Sequence, residues 1–163
     1  MSFTQSSFKL IKIISGAQTG ADQAGLFAAE SMGIVTGGCM TLGFRTLTGS
    51  RPDLSVRFGL TEYPSYYYNE RTDANVFMSN GTVRFASDFL SSGEKCTLAA
   101  IKKYNKPYYD VSMLYPPNHT LFIKWLVDNN VKILNVAGNS EQTAPGIFDF
   151  TFNFLTMAIK MLL

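Results

Sequence analysis

The segment LIKIISGAQTGADQAGL, residues 10–26, is the most informative part of the chain about its fold, because it passes from an apolar run through a glycine-bearing turn into a helical pattern. The apolar run at residues 10–14 predicts a buried strand. Gly16 and Gly20 allow a tight turn after it, because glycine adopts backbone conformations that other residues avoid. In open α/β sheets, ligands bind where strands end in such turns. The stretch therefore predicts a strand-turn-helix unit with a ligand site at the turn.

The rest of the chain repeats this alternation. Short apolar or β-branched runs recur at residues 10–15, 34–36, 82–86, 107–111 and 131–137. Helices are predicted between most of these runs, namely from Thr19 to Gly33, at 66–79, at 93–104, from Asn118, and from about Pro145 to the end. Such alternation is typical of a parallel sheet covered by helices on both faces. We expect residues 1–163 to form a single α/β domain.

The segment between Gly37 and Pro64 breaks the pattern. Its periodicity fails, and Gly, Thr, Ser, Arg and Pro accumulate there. A loop of this length in a compact domain is usually functional or flexible. We therefore predict a long loop.

Composition excludes several classes of protein. The net charge is +2 with no block of like charge, so the long-range field that attracts nucleic acid or an anionic membrane is missing. No apolar run approaches the roughly 20 residues that span a bilayer, and the C-terminal FLTMAIKMLL is expected to be a docked helix. Cys39 and Cys96 lack CxxC spacing, and with the single His119, expected at the surface, they predict no zinc site. We expect a cytoplasmic protein without nucleic-acid or membrane partners.

Three glycine-bearing turns follow predicted strands and open predicted helices. Bare amides and helix N-termini at such turns bind phosphate and other oxyanions. The alternative is that each is only a tight turn with a helix cap, and the first also lacks the lysine of a P-loop and the third glycine of a dinucleotide turn. If the turns converge, the candidate anion-binding residues are Gly16, Gln18, Thr19, Gly20, Ser91, Ser92, Gly93, Gly138, Asn139, Ser140 and Glu141.

All five arginines lie between residues 45 and 84, and no lysine does. A guanidinium group can bind a phosphate through two parallel hydrogen bonds. Arg71, inside a predicted helix near the ligand edge, is the best candidate, and Arg45 is a second one. Arg51 and Arg57 are interpreted as surface residues of a polar loop, and Arg84, in a strand-like segment, has no assigned role.

Acid–base chemistry would need a carboxylate in the pocket. Asp22, Glu94 and Glu141 are candidates by position, although the patterns Thr19-x-x-Asp22 and Ser91-x-x-Glu94 also predict capping boxes for the first two. Glu141 or Asn75 could read the edge of a ring or sugar. The run at residues 66–68, three tyrosines, could stack on a flat ring or pack within the protein.

Together these motifs resemble the family of putative molybdenum carriers, the circularly permuted YpsA-type branch of the SLOG superfamily. The matching segments are residues 15–26, 32–39, 60–76, 105–111 and 133–155. The resemblance implies a three-layer α/β/α Rossmann-like fold in which the first strand and glycine loop of other members have moved to the C-terminus. It implies a nucleotide or the molybdenum cofactor, a phosphorylated pterin, as ligand. The lonely-guy branch of the superfamily cleaves the N-glycosidic bond of nucleoside monophosphates.

Two departures bear on function. Where the hydrolytic relatives have a catalytic glutamate, this chain has Ala99, and a methyl group cannot stabilise an oxocarbenium ion or activate water. After the pair Gly37-Gly38, where the carrier family is usually rich in Lys and Arg, only Arg45 follows. We therefore expect a binding protein for a phosphorylated nucleotide- or pterin-like molecule, with no certain cofactor. The alternatives are a nucleotide N-glycosidase or phosphohydrolase, and a sensor or sponge for a nucleotide-derived signal. The aromatic content of 13% is compatible with a homodimer or larger homo-oligomer.

Overall fold

The chain builds a parallel sheet whose last strand lies at its centre. The computed structural model describes residues 7–163. Its strands are β1 (Lys12–Ile14), β2 (Val35–Gly37), β3 (Cys39–Met40), β4 (Arg45–Thr46), β5 (Gly49–Ser50), β6 (Thr61–Glu62), β7 (Gly81–Ala86), β8 (Tyr108–Ser112) and β9 (Ile133–Gly138). The main sheet has five parallel strands in the order β2-β1-β9-β7-β8. The position of β9 between β1 and β7 agrees with the circular permutation that the resemblance implies.

Residues 7–163 form six helices, and most of them lie in two layers against this sheet. They are α1 (Ala21–Ser31), α2 (Pro52–Phe58), α3 (Tyr68–Met78), α4 (Ser92–Tyr104), α5 (His119–Asp128) and α6 (Ile147–Leu162). On β7, Val83 and Phe85 belong to the buried cluster that includes residues of α1, α5 and α6. The residue between them, Arg84, contacts Glu94 of α4. Because alternate residues of a strand point to opposite faces, the sheet lies between two helical layers, as a three-layer α/β/α fold requires.

Close contact between α1 and the sheet explains a glycine inside a helix. A Cβ on Gly25 would lie 2.6 Å from Cβ of Val136 on β9. Glycine costs a helix roughly 0.5–1 kcal/mol relative to alanine. Here it lets α1 pack directly on the central strand, β9. The turn that follows β1 leads into α1.

The predicted loop at 37–64 is wrong in part, because the segment contains regular structure. It holds β3 to β6 and α2, and β3 pairs with β6 while β4 pairs with β5. A second buried cluster, separate from the main core, contains Met40, Leu54, Phe58 and Leu60 of this segment. The strands have two residues each and α2 has seven, which is too short for a periodic pattern to appear.

The helix predicted from Thr19 begins slightly later and without the expected cap. Its N-cap is Gly20, and no side chain caps it. The Thr19 hydroxyl instead donates to Oε1 of Gln142, at 2.6 Å. At the other end of the chain, α6 packs against α1 and α5, which confirms the docked terminal helix. Within residues 7–163, no helix combines the length and apolar character that crossing a bilayer requires.

Candidate functional site

The three predicted turns meet at one cavity of about 300 Å³ at the carboxyl edge of the sheet. Ile14, the last residue of β1, pairs with Asn135 of β9, and Phe85 of β7 pairs with Gly138, the last residue of β9. The three parallel strands therefore end at the same edge of the sheet. The candidate residues that line the cavity are Gly16, Gln18, Asp22, Arg71, Asn75, Ser91, Ser92, Gly93, Glu94, Gly138, Asn139 and Ser140. Thr19, Gly20, Arg45 and Glu141 are absent from its lining.

Arg71 is buried in the wall of this cavity and packs against the first turn. A Cβ on Gly16 would lie 2.2 Å from Nη1 of Arg71, so glycine at this position makes room for the guanidinium. Nη1 donates to Oγ1 of Thr72 at 3.0 Å and lies 3.6 Å from Oδ2 of Asp22. Nε is buried and has no hydrogen-bond partner among the described residues. A buried donor left without a partner costs about 1–3 kcal/mol, so Arg71 keeps an unsatisfied N–H group in this arrangement.

The N-terminus of α4 opens into the same cavity. Ser91 is its N-cap and makes no side-chain capping hydrogen bond, and Ser92, Gly93 and Glu94 line the cavity with it. The first N–H groups of a helix have no partner within the helix, and their dipoles favour an anion. The predicted capping box fails because the Glu94 side chain lies beside Arg84.

The first and third turns lead into α1 and α6, and the N-termini of these two helices are closed by the protein itself. In α1, the first amide, Ala21 N, donates to the carbonyl of Asn139 at 3.1 Å. In α6, Glu141 accepts from Gly146 N at 2.6 Å and from Phe148 N at 3.0 Å. Glu141 therefore caps a helix, and the hypothesis that it reads a ring or sugar edge does not agree with this geometry.

Two polar side chains of the cavity lining bond to the backbone around them. Asn75, on α3, accepts from the amide of Cys39 at 2.8 Å and donates to its carbonyl at 3.1 Å, so these two bonds hold its amide to the backbone of Cys39. Asn139 accepts from the amides of Ser87 and Asp88, both at 3.0 Å. These bonds fix the turns relative to one another, which sequence patterns could not show because the partners are distant in the chain.

Gln18 ties the first turn to the short hairpin of β4 and β5. Its Oε1 accepts from the amide of Leu47 at 2.8 Å and from that of Thr19 at 3.0 Å. Leu47 lies at the tip of this hairpin and lines the cavity. Tyr68 lines it too, with the Arg71 guanidinium carbon 5.6 Å from its ring centre. The tyrosine run stands out in the sequence, whereas nothing in the sequence points to Leu47.

Two buried carboxyl groups in the cavity hold their protons more firmly than usual. Burial raises the pKa of Asp22 from 3.8 to about 6, against the opposing effect of Arg71. Burial also raises the pKa of Glu94 from 4.5 to about 8, opposed by Arg84 and reinforced by neighbouring carboxylates, of which Asp22 contributes most. At neutral pH the site therefore carries less negative charge than its composition suggests.

Arg84, which had no role in the sequence analysis, organises the sheet below the cavity. It is buried, and its Nε and Nη2 donate to the two oxygens of Asp110 on β8, at 2.8 and 2.7 Å. Its Nη1 donates to the carbonyl of Glu94 at 3.2 Å and lies 3.5 Å from Oε2. The charge on this strand is thus paired across the sheet.

The other arginines lie outside the cavity lining. Arg51 pairs with Asp53 and Arg57 with Glu30, and both pairs are exposed, as the surface interpretation predicted. Arg45 is exposed, donates to the carbonyl of Tyr66, and has its guanidinium carbon 5.2 Å from the ring centre of Tyr68. Its contact with the cavity is therefore indirect, through Tyr68.

Ala99, His119 and Cys96 have different positions relative to the site. Ala99 is exposed on α4 outside the cavity lining, and His119 stacks on Phe154 with ring centres 4.3 Å apart. Cys96 is an exposed thiol that lines the cavity. Among residues 7–163, no group of three or more His, Cys, Asp or Glu side chains is arranged to hold a metal ion.

Comparison with known proteins agrees with this architecture. The model of the family described as "Circularly permutated YpsA SLOG family" matches residues 13–159. The crystal structure of the putative molybdenum carrier protein from Syntrophus aciditrophicus SB is 31% identical and superposes with a TM-score of 0.87, covering 94% of this chain and 98% of that one. No curated protein sequence matches the chain. The chain belongs to the circularly permuted YpsA family of SLOG proteins.

Proposed function

We propose that the cavity binds a small phosphorylated molecule, a nucleotide or a pterin, without converting it. The observation that carries this proposal is Arg71, a residue of the cavity wall whose buried Nε has no partner among the described residues. The uncapped N-terminus of α4 supplies amide donors to the same space. A guanidinium and a helix N-terminus facing one cavity form a site for a phosphate group.

The rim suits the flat part of such a ligand. Tyr68 and Leu47 offer an aromatic ring and an apolar side chain beside the polar floor. The cavity volume, about 300 Å³, is at the lower end of the range for small-molecule pockets, roughly 300–1,000 Å³. We propose that the phosphate lies between Arg71 and α4, and that the ring lies against Tyr68.

The structural relative suggests which ligand to test first. That protein is named as a molybdenum carrier, and we propose that this chain likewise carries a molybdenum-related cargo. The molybdenum cofactor is a phosphorylated pterin, so its phosphate would use the same donors as a nucleotide phosphate. Arg71 and the N-terminus of α4 fit that group, because both offer donors for an anion.

The direct test is mass spectrometry of the small molecules released from natively purified protein. A phosphorylated pterin or a nucleotide is the expected finding. Affinity is then measured by calorimetric titration with AMP as a defined phosphate-bearing probe. Arg71→Ala should weaken AMP binding by about 1.5–3 kcal/mol, or about 10- to 150-fold, because it removes a charge-assisted hydrogen bond.

Arg57→Ala is the matched control, since it removes an exposed arginine paired with Glu30 outside the cavity lining. Its affinity for AMP should equal that of the unmodified protein. Equal affinities for all three proteins would remove Arg71 from the site. Absence of any bound phosphorylated molecule, together with no AMP binding, would refute the proposal.

A further inference from the structure

The charged groups around Glu94 do not balance. Glu94 is the third residue of α4, its side chain is 2% exposed, and it lies in the wall of the cavity proposed to hold the phosphate. One arginine and three further carboxylates act on its charge. They are Arg84 on β7, Asp22 on α1, Asp110 on β8 and Asp88 in the turn after β7. If all were ionised, four carboxylates would share Arg84 and the more distant Arg71, which lies beside Asp22.

Glu94 shares its guanidinium partner with Asp110. Arg84 makes its two short bonds, 2.8 and 2.7 Å, to Asp110, and its Nη1 makes a longer hydrogen bond, 3.5 Å, to Oε2 of Glu94. Arg71 lies beside Asp22. A phosphate placed at the N-terminus of α4 would therefore meet a carboxylate whose charge is incompletely offset. Like charges at close range inside a protein repel strongly, because little water screens them.

We infer that the phosphate is bound together with a proton on Glu94, whose neutral carboxyl group serves as a hydrogen-bond donor at the anion. This inference rests on the proposed function of the cavity. It makes Glu94 a specificity-determining residue, since its proton decides whether the site accepts a doubly charged anion. A protonated carboxyl group offers one O–H donor, whereas a carboxylate only accepts.

The titration of the free protein supports this assignment. Burial holds the pKa of Glu94 at about 8, so the carboxyl group is mostly neutral at pH 7. A bound anion would raise that pKa further. By linkage, affinity is then nearly constant below pH 8 with respect to Glu94 and falls as the pH rises through and above 8. Asp22, with a pKa of about 6, adds a weaker dependence at lower pH.

The test is calorimetric titration with AMP at pH values from 7.5 to 9.5. The phosphate of AMP is doubly charged throughout this range, because such groups lose their second proton near pH 6. The unmodified protein should lose about 20-fold in affinity between pH 7.5 and 9.5, since a site that requires a proton loses tenfold per pH unit above its pKa. Glu94→Gln, which keeps a donor at every pH, should stay within about twofold over the same range.

Glu70→Gln is the matched control, because Glu70 is exposed on α3 and absent from the cavity lining. It should show the same fall in affinity as the unmodified protein. A second measurement needs no variant. Titrations at pH 8.5 in two buffers of different ionisation enthalpy should reveal uptake of about 0.8 proton per AMP, the fraction of Glu94 that is ionised beforehand.

The outcomes separate this inference from the function on which it rests. AMP binding with equal pH dependence in the unmodified protein and in Glu94→Gln, or binding without proton uptake at pH 8.5, would overturn the role of Glu94 and leave the phosphate site standing. Failure of the unmodified protein to bind AMP at any pH would overturn the phosphate site itself, and the role of Glu94 with it.

Discussion

The N-termini of α4 and α6 have similar surroundings, but their first amide groups are satisfied differently. Each helix follows a parallel strand at the same edge of the sheet, and each has a glutamate close to its start, Glu94 or Glu141. Glu141 accepts from two amides of α6 and closes that helix. Glu94 lies beside Arg84, and α4 remains open towards the cavity. A candidate anion site at a helix N-terminus therefore depends on where the nearby carboxylate is directed, more than on the glycine-rich sequence of the turn.

Backbone geometry and a buried cation explain the two directions. Before α6, Gly146 has φ of 90°, in the left-handed region, which brings the helix amides back to Glu141. Glu94 belongs to the helix itself, and the buried Arg84 lies close to both its carbonyl and its carboxyl group. One glutamate thus replaces an external anion, and the other leaves room for one.

Among variants that distinguish the two glutamates, Glu94→Gln should change the free energy of unfolding most. Because the pKa of Glu94 is raised from 4.5 to about 8 in the folded protein, the stability that its proton contributes is complete below pH 4.5. That contribution is lost as the pH rises through 8. Relative to Glu94→Gln, the unmodified protein should lose about 4 kcal/mol of unfolding free energy between pH 4.5 and 9.

Chemical denaturation of both proteins across this pH range measures that difference. The difference curve removes the contributions of the groups that titrate independently of Glu94. A flat difference curve would show that Glu94 titrates normally, and the distinction between the two glutamates would then lose its electrostatic basis.

A smaller effect is expected from Glu141→Ala. The variant removes both capping bonds from α6 and should lower the free energy of unfolding by about 1–2 kcal/mol, as for other lost helix caps. AMP affinity should not change, because Glu141 is absent from the cavity lining. Denaturation and titration measure the two quantities separately.

Asp149→Ala is the control for that variant. Asp149 is an exposed acid in the first turn of the same helix, and its loss should cost only about 0.3–1 kcal/mol through the helix dipole. A loss of AMP affinity in Glu141→Ala alone would return Glu141 to the ligand site and remove the contrast with Glu94.

The sequence predicted the strands and turns around this site better than the contacts of its polar side chains. Residues 10–15 and 131–137 predicted strands that the structure confirms within a few residues, because a buried parallel strand needs a continuous apolar run. The turns were visible from their glycines, and their convergence follows from parallel strands ending at one edge.

The partners of the polar side chains were not predictable. Asn75 meets Cys39, and Arg84 meets Asp110, across 36 and 26 positions of chain. No local pattern encodes such pairs. The capping boxes failed for the same reason, since Thr19 and Glu94 found tertiary partners, Gln142 and Arg84, that override the local preference.

The smallest change in stability, but a decisive one for the site, should come from Ser91→Asp. Ser91 is the N-cap of α4 and lines the cavity, so aspartate there would give α4 the carboxylate that α6 already has. A carboxylate at a helix N-terminus stabilises by about 0.3–1 kcal/mol. The same charge would repel a phosphate at the open amides and should lower AMP affinity about tenfold.

Ser91→Asn is the control, because asparagine has nearly the shape of aspartate without its charge. This variant should bind AMP more tightly than Ser91→Asp. If Ser91→Asp bound AMP as tightly as Ser91→Asn does, the phosphate would have to lie elsewhere in the cavity. A carboxylate at the N-cap must repel an anion that is bound to the amides of the same helix N-terminus.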